Sequence, residues 1–255
     1  MRTVSDIASY HLPSTNNPDG LVARSEHFML YEGNEARRIQ LPPVQNQDSH
    51  SLEKITSNSR VLIVEGISGS GKDTFQTYLK TQLEGRDVYD YSEGEVLHSW
   101  KQMQIDGIFE LRIKFMKLFV NYIRDIVSRD ENAVFLLNRF HLSAYVFTII
   151  QQPKLETEYE EIINILRTLP VHIFMLQLDK NEIEERSLHP ERSGAWRKFQ
   201  QQIVQRDGFR GRLERYSLQQ RLMLEAAKRQ QIPYSLVKSP SAHETGPDGL
   251  TDELF

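Results

Sequence analysis

The chain has 255 residues, of which 39% are hydrophobic and 26% charged, with a formal net charge of −4. That combination gives room for one large domain or two small ones with a proper core, and it excludes disorder of the whole chain. Cysteine is absent, which rules out disulfides, thiolate metal sites and cysteine nucleophiles, while the net acidity argues against a protein devoted to coating nucleic acid.

The longest apolar runs, such as Ala133–Leu137, fall far short of the roughly 20 residues that span a bilayer. The opening Met1-Arg-Thr-Val-Ser-Asp lacks the apolar stretch of about 7–15 residues that a secretory signal needs. The expectation is a cytoplasmic protein with no membrane and no nucleic-acid partner.

In chain order, residues 1–57 read as a polar appendage. Two stretches dense in turn formers, 13–20 and 42–50, bracket Phe28–Tyr31 and Arg38–Leu41, which flank Glu32-Gly33-Asn34 and suggest a small hairpin. Residues 58–240 then alternate. Val61–Val64 is a continuous apolar run of strand length, Phe75, Leu79 and Leu83 mark a helix ending near Gly85, and Val88–Tyr91 is a second strand. Leu111, Phe115, Leu118, Phe119, Tyr122 and Ile126 form an apolar helical stripe, read as core. Val134–Leu137 is a third strand, Ser143–Ile150 begins another helix, Ile162–Leu166 belongs to a helix stopped by Pro170, and Ile173–Leu178 and Tyr234–Val237 complete five strands. Strand–helix alternation at this spacing predicts an α/β fold, a doubly wound parallel five-stranded sheet with helices on both faces. Residues 241–255, which hold Glu244, Asp248, Asp252 and Glu253 and no Lys or Arg, read as an acidic mobile tail.

Between the first strand and the first helix lies Gly66-Ile-Ser68-Gly69-Ser70-Gly71-Lys72-Asp73-Thr74. The spacing G-x-x-x-x-G-K in that context is a phosphate-binding (Walker A) loop. Glycines let successive backbone N–H groups face inward, the helix adds its positive end, and Lys72 reaches the outer phosphates of a nucleoside triphosphate. The nucleotide-binding set is thus Gly66, Ser68, Gly69, Ser70, Gly71, Lys72, Asp73 and Thr74, with ATP and Mg²⁺ as expected cofactors. One position departs. Asp73 stands where Ser or Thr would bind the metal. A carboxylate beside phosphates is costly unless a cation lies between them, or unless it turns away and caps the helix. Thr74 is read as a phosphate contact, and the direct metal ligand stays open.

The third strand ends in Asn138-Arg139-Phe140-His141-Leu142-Ser143-Ala144-Tyr145. The carboxyl ends of parallel strands are where doubly wound folds place ligands, and an arginine there can grip a phosphate in fork geometry. Val64-Glu-Gly-Ile-Ser-Gly-Ser-Gly-Lys-Asp-Thr followed by Asn-Arg-Phe-x-x-Ser-x-Tyr resembles the thymidylate kinase group of phosphate-loop kinases. That group's loop opens with Glu-Gly, and its third strand ends in Asp-Arg-Tyr-x-x-Ser. The related deoxynucleoside kinases carry Glu-Arg-Ser-x-x-Ser there, and a glutamate after strand two with a tryptophan five residues on, a spacing that Glu95 and Trp100 reproduce. The resemblance spans about residues 58–240 in element order. It departs at Asn138, where the group has an acid, so Asp90, Glu93 and Glu95 become the candidates for a replacement carboxylate, Glu95 first.

The resemblance further implies an arginine-bearing lid at about 186–197, within Arg186-Ser-Leu-His-Pro-Glu-Arg192-Ser-Gly-Ala-Trp196-Arg197. Arg186 and Arg197 would bind the nucleotide and Arg192 would act in transfer. This stretch opens a basic region: from Arg186 to Arg229 there are 11 Lys and Arg against 4 Asp and Glu, an excess of 11 − 4 = 7, suited to phosphate or to a solvated helix face. Phe140, Tyr145, Trp100 and Phe115 are candidates to sandwich a base. A fainter likeness to family-two polyphosphate kinases lies in Trp196, Tyr216 and Pro233-Tyr234. His141, His172 and His189 show no metal-ligand spacing.

With these residues, the resemblance implies an ATP-dependent kinase of a (deoxy)nucleoside monophosphate such as dTMP, with Lys72, Glu95, Arg139 and Arg192 as the catalytic set. The resemblance also implies a homodimer. The alternatives are a deoxynucleoside kinase and, from another class, a non-catalytic ATP-binding switch or scaffold, to which Asp73 and Asn138 point.

Overall fold

A computed structural model describes residues 27–32, 35–40, 49–96, 106–150, 152–187 and 194–238. Trp100, Arg192 and the acidic tail lie outside the described residues, as does the side chain of Arg197. The five predicted strands form as β3 (Val61–Gly66), β4 (Asp87–Tyr91), β5 (Ala133–Asn138), β6 (Val171–Gln177) and β7 (Tyr234–Lys238). All five run parallel. The hairpin forms as β1 (His27–Glu32) and β2 (Glu35–Gln40), paired antiparallel, and β1 adds antiparallel to β7, so the sheet reads β2-β1-β7-β6-β3-β5-β4. The chain leaves β3 for β4 and β5 on one side, then crosses to β6 and β7 on the other. That reversal opens a crevice at the carboxyl end of β3.

Both faces of the sheet are covered, which is why the central strands read as unbroken apolar runs. On one face, Leu62, Val64, Val134, Leu136, Phe174 and Leu176 pack under α1 (Ser49–Asn58) and α2 (Lys72–Thr81), which contribute Leu52, Phe75 and Leu79. On the other, Val61, Ile63, Phe135, Leu137 and Ile173 pack under α4 (Ile108–Arg129), α6 (Glu156–Arg167) and the end of α8 (Gly194–Gln230). Two short helices, α3 (Glu93–Val96) and α5 (His141–Ala144), follow β4 and β5 directly, and α7 (Lys180–Ser187) follows β6. A π-helical turn (Tyr145–Ile149) continues α5, and α8 is broken at Gly208, where φ is 73°. No helix among the described residues is long and apolar enough to cross a membrane.

The stripe on α4 requires a correction. Its fully buried residues are Ile113, Met116, Val120 and Ile123, whereas Leu118 is 72% and Tyr122 42% exposed. Phe115 and Phe119 are instead half-buried at the edge of the sheet: Phe119 meets Tyr91 edge-on at 5.0 Å and stacks on Phe115 at 6.0 Å.

His141 opens α5 inside the core. It is fully buried, and neither ring nitrogen has a hydrogen-bond partner. Burial holds its imidazole down to about 3. The unfolded chain therefore takes up a proton that the folded chain refuses. The stability associated with neutral His141 is complete above about pH 6.5 and is lost as pH falls toward 3, by up to about 5 kcal/mol. His141→Phe should flatten this acid limb in denaturant titrations between pH 4 and 7. An acid limb as steep as that of the parent would refute the assignment.

Candidate phosphate-binding site

The loop from Gly66 to Gly71 joins β3 to α2 at the crevice. Gly66 has φ 151°, and a Cβ there would lie 2.7 Å from both the Leu176 carbonyl oxygen and Ser70 Oγ. Only glycine lets the loop lie this close against β6. Gly71, at φ 80°, precedes α2 and no side chain caps the helix, so its first N–H groups stay open toward an anion. Phe75 and Leu79 bury the other side of α2 and fix its direction.

Lys72 is buried, and its Nζ donates to the Ile67 carbonyl at 2.9 Å, inside the loop. Desolvation, and then the nearby Arg139 guanidinium, bring its ammonium down to about 7, against the opposing pull of Glu93, Asp73 and Glu65. A group tuned this way gains most from phosphate, which restores the counter-charge that burial removed.

Arg139 follows β5 and is only 1% exposed. Its φ of 65° is left-handed, an uncommon conformation outside glycine that is characteristic of sites the surroundings hold in place. Two carboxylates do the holding. Nη1 of Arg139 pairs with Glu93 Oε1 at 3.2 Å, and Glu93 is 23% exposed. Glu65, the charge inside strand β3, is fully buried; its Oε1 accepts the backbone N–H groups of Phe140 (2.8 Å), Leu142 (3.0 Å) and Ser143 (3.3 Å), and its Oε2 accepts the Ser143 hydroxyl (2.7 Å). Glu65 thereby ties the loop strand to the turn that carries Arg139. Burial raises the Glu65 carboxyl above its usual range, with the Ser143 and Phe140 hydrogen bonds opposing.

Asp73 does not cap α2. Its Oδ1 accepts a hydrogen bond from Asn138 Nδ2 at 2.6 Å. The same nitrogen donates to Gln76 Oε1 at 3.0 Å, and Gln76 Nε2 in turn donates to Asp90, which Lys80 also contacts. Asn138 is 2% exposed, and its Oδ1 is buried without a partner. No cluster of three or more His, Asp or Glu able to hold a metal occurs among the described residues. Asp73 brings a carboxylate oxygen near Lys72, and Asn138 meets Asp73 with an amide, a donor set that fits a hard divalent cation taking one or two protein ligands and the rest from phosphate and water.

Of the residues named from sequence, Lys72, Asp73 and Arg139 converge on this crevice. Glu95 does not join them: its Oε2 accepts the Ser92 backbone N–H at 2.8 Å and the Ser92 hydroxyl at 2.6 Å, closing the first turn of α3. That is the glutamate half of a capping box, and it holds Glu95 below the usual carboxylate range. The structure puts Glu93 against Arg139 instead. Arg186 lies largely buried, with Nη2 3.6 Å from Glu182 Oε1. Phe140 is a core residue, edge-on to Phe119 at 5.8 Å, and Tyr145 stacks under Arg229, so neither ring is free to sandwich a base.

The sheet order, the glycine-bearing turn and the buried Lys72 define an α/β protein with a glycine-bearing loop at the carboxyl end of its central strand. No family model matches the chain, and no curated protein matches it. Among solved structures the chain is similar to thymidylate kinase from Ehrlichia chaffeensis, at 18% identity over 68% of this chain and 99% of that one, with a TM-score of 0.33. At that level the likeness carries no substrate or reaction to this chain.

Proposed function

We propose that the chain is a phosphotransferase that moves the γ-phosphoryl group of ATP to a nucleoside monophosphate such as dTMP. The observation that carries this reading is the meeting of two buried cations, Lys72 and Arg139, at the carboxyl ends of adjacent parallel strands, beside the uncapped start of α2. Phosphoryl transfer through a loose transition state asks a protein mainly for positioning and positive charge. In this reading Lys72 holds the outer phosphates of ATP, and a bound Mg²⁺ supplies charge neutralisation across them. Arg139 is set, by Glu93 and by the Glu65-anchored turn, to take the phosphate of the acceptor. Arg186, Arg192 and Arg197 remain the proposed lid contacts.

The Glu93–Arg139 pair also favours a second reading. A carboxylate beside the acceptor arginine could take the proton of a nucleoside hydroxyl, which a monophosphate acceptor does not need because its oxygen is already ionised. Incubation with γ-labelled ATP and a panel of nucleosides and monophosphates separates these readings, and ATP binding without transfer to any acceptor would favour a non-catalytic switch.

Two variants sharpen the test. Arg139→Lys keeps the charge but loses the fork, so the acceptor KM should rise more than the ATP KM; equal rises would remove Arg139 from the acceptor side. Glu93→Gln should cost about 10²–10⁴-fold in rate and erase an acidic limb of the pH–rate profile if the acceptor is a hydroxyl. With a monophosphate acceptor the limb should persist and acceptor affinity should change instead.

A further inference from the structure

In phosphate loops the residue after the lysine is a neutral hydroxyl that meets Mg²⁺, and a separate aspartate at a strand end completes the metal-facing side. Here the two chemistries have changed places. The acid, Asp73, follows the lysine, and a neutral amide, Asn138, ends β5 next to β3. The two side chains are 65 residues apart in sequence yet touch, Asn138 Nδ2 donating to Asp73 Oδ1 at 2.6 Å. Gln76 fixes the same amide nitrogen from the other side, which leaves Asn138 Oδ1 as a buried acceptor with nothing to accept. A buried orphan oxygen costs free energy unless a donor reaches it when the site is filled.

We propose that Asp73 supplies the single carboxylate that faces a hard divalent cation at the triphosphate, and that Asn138 is its positioning partner, holding Asp73 through its amide N–H and offering Oδ1 to the cation's water. This rests on the reading of the loop as an ATP site. The exchange keeps one carboxylate at the site while moving it from the strand to the helix. It accounts for an acid next to phosphates, which would otherwise repel them, and for the amide that meets it.

The test is ATP binding by calorimetry, in EDTA and in Mg²⁺, for the full chain and for Asp73→Ser, Asn138→Asp and the double variant, with Mn²⁺ binding at the ATP complex followed by electron paramagnetic resonance. Asp73→Ser should bind metal-free ATP at least as tightly as the parent, since a repulsive charge is gone. Its affinity gain from Mg²⁺, and its Mn²⁺ affinity, should fall by about 10–100-fold. The double variant should recover most of that gain, because the carboxylate has been returned to the strand. A Mg²⁺ gain in Asp73→Ser equal to that of the parent, or a double variant no better than Asp73→Ser, would overturn the proposal while leaving ATP binding intact. A parent chain that binds no ATP, with or without metal, would overturn the ATP reading and this proposal together.

Discussion

Lys72→Ala is expected to lower phosphoryl transfer by about 10²–10³-fold while leaving the fold as stable as before or more so. The two halves of that expectation come from one environment. The ammonium is buried and its nearest fixed partner is a loop carbonyl, that of Ile67. Desolvation makes its charged form costly, so deleting it relieves the folded state rather than opening a core cavity. Phosphate is the partner that would repay the charge. Initial-rate assays alongside thermal melts check both halves. A variant that melts well below the parent would show Lys72 to be a structural cation, and unchanged transfer would remove it from the chemistry.

Glu65→Ala should have the opposite profile, with a loss of about 3–5 kcal/mol in stability. Alanine strands three backbone N–H groups and the Ser143 hydroxyl in a part of the protein that water does not reach. The turn that sets Arg139 in its left-handed conformation would lose its anchor. Glu65→Gln should cost much less, because one amide oxygen can still accept from the backbone while the amide nitrogen faces the hydroxyl. The pH linkage runs opposite to that of His141. A raised carboxyl binds its proton more tightly folded than unfolded, so this group's contribution falls as pH rises from about 4.5. Urea titrations of both variants measure the difference, and equal losses for alanine and glutamine would mean that the carboxylate charge, not the backbone hydrogen bonds an amide oxygen can keep, sets the cost.

The central strands β3, β5 and β6 were legible because each is an apolar run of strand length covered on both faces, whereas the edge strand β4, with Asp87 and Asp90 exposed, shows only in the strand–helix alternation. The glycine-bearing turn between β3 and α2 was legible because its glycines and lysine fall between a strand and a helix. Periodicity misled on α4, where two apolar stripes run in parallel: Ile113, Met116, Val120 and Ile123 repeat at the same helical spacing as Leu111, Phe115, Leu118 and Tyr122. A periodic signal gives the helix but not which of two apolar phases faces inward, and the bulk of the aromatics favoured the wrong one. The spacing to Trp100 points to Glu95, although Ser92-x-x-Glu95 carries the signature of a capping box. Glu65 shows what a single charge within a fully buried strand signals: such a group persists only when the fold satisfies it, so Val-Leu-Ile-Val-Glu-Gly already implied an anchor. The contact between Asp73 and Asn138 left no local trace, because it is made by tertiary pairing of β3 with β5.

Proton-linked binding tests most directly whether Lys72 sits in a triphosphate site. Burial and the Arg139 guanidinium hold the Lys72 ammonium down to about 7, so mildly alkaline pH favours its neutral form, and phosphate bound beside it should restore the charge. ATP titrated calorimetrically at pH 8, in two buffers of different ionisation heat, should take up protons at the site, and fewer of them at pH 6. Lys72→Ala should abolish that uptake. ATP binding with no proton uptake at pH 8, or uptake that survives in Lys72→Ala, would contradict the account.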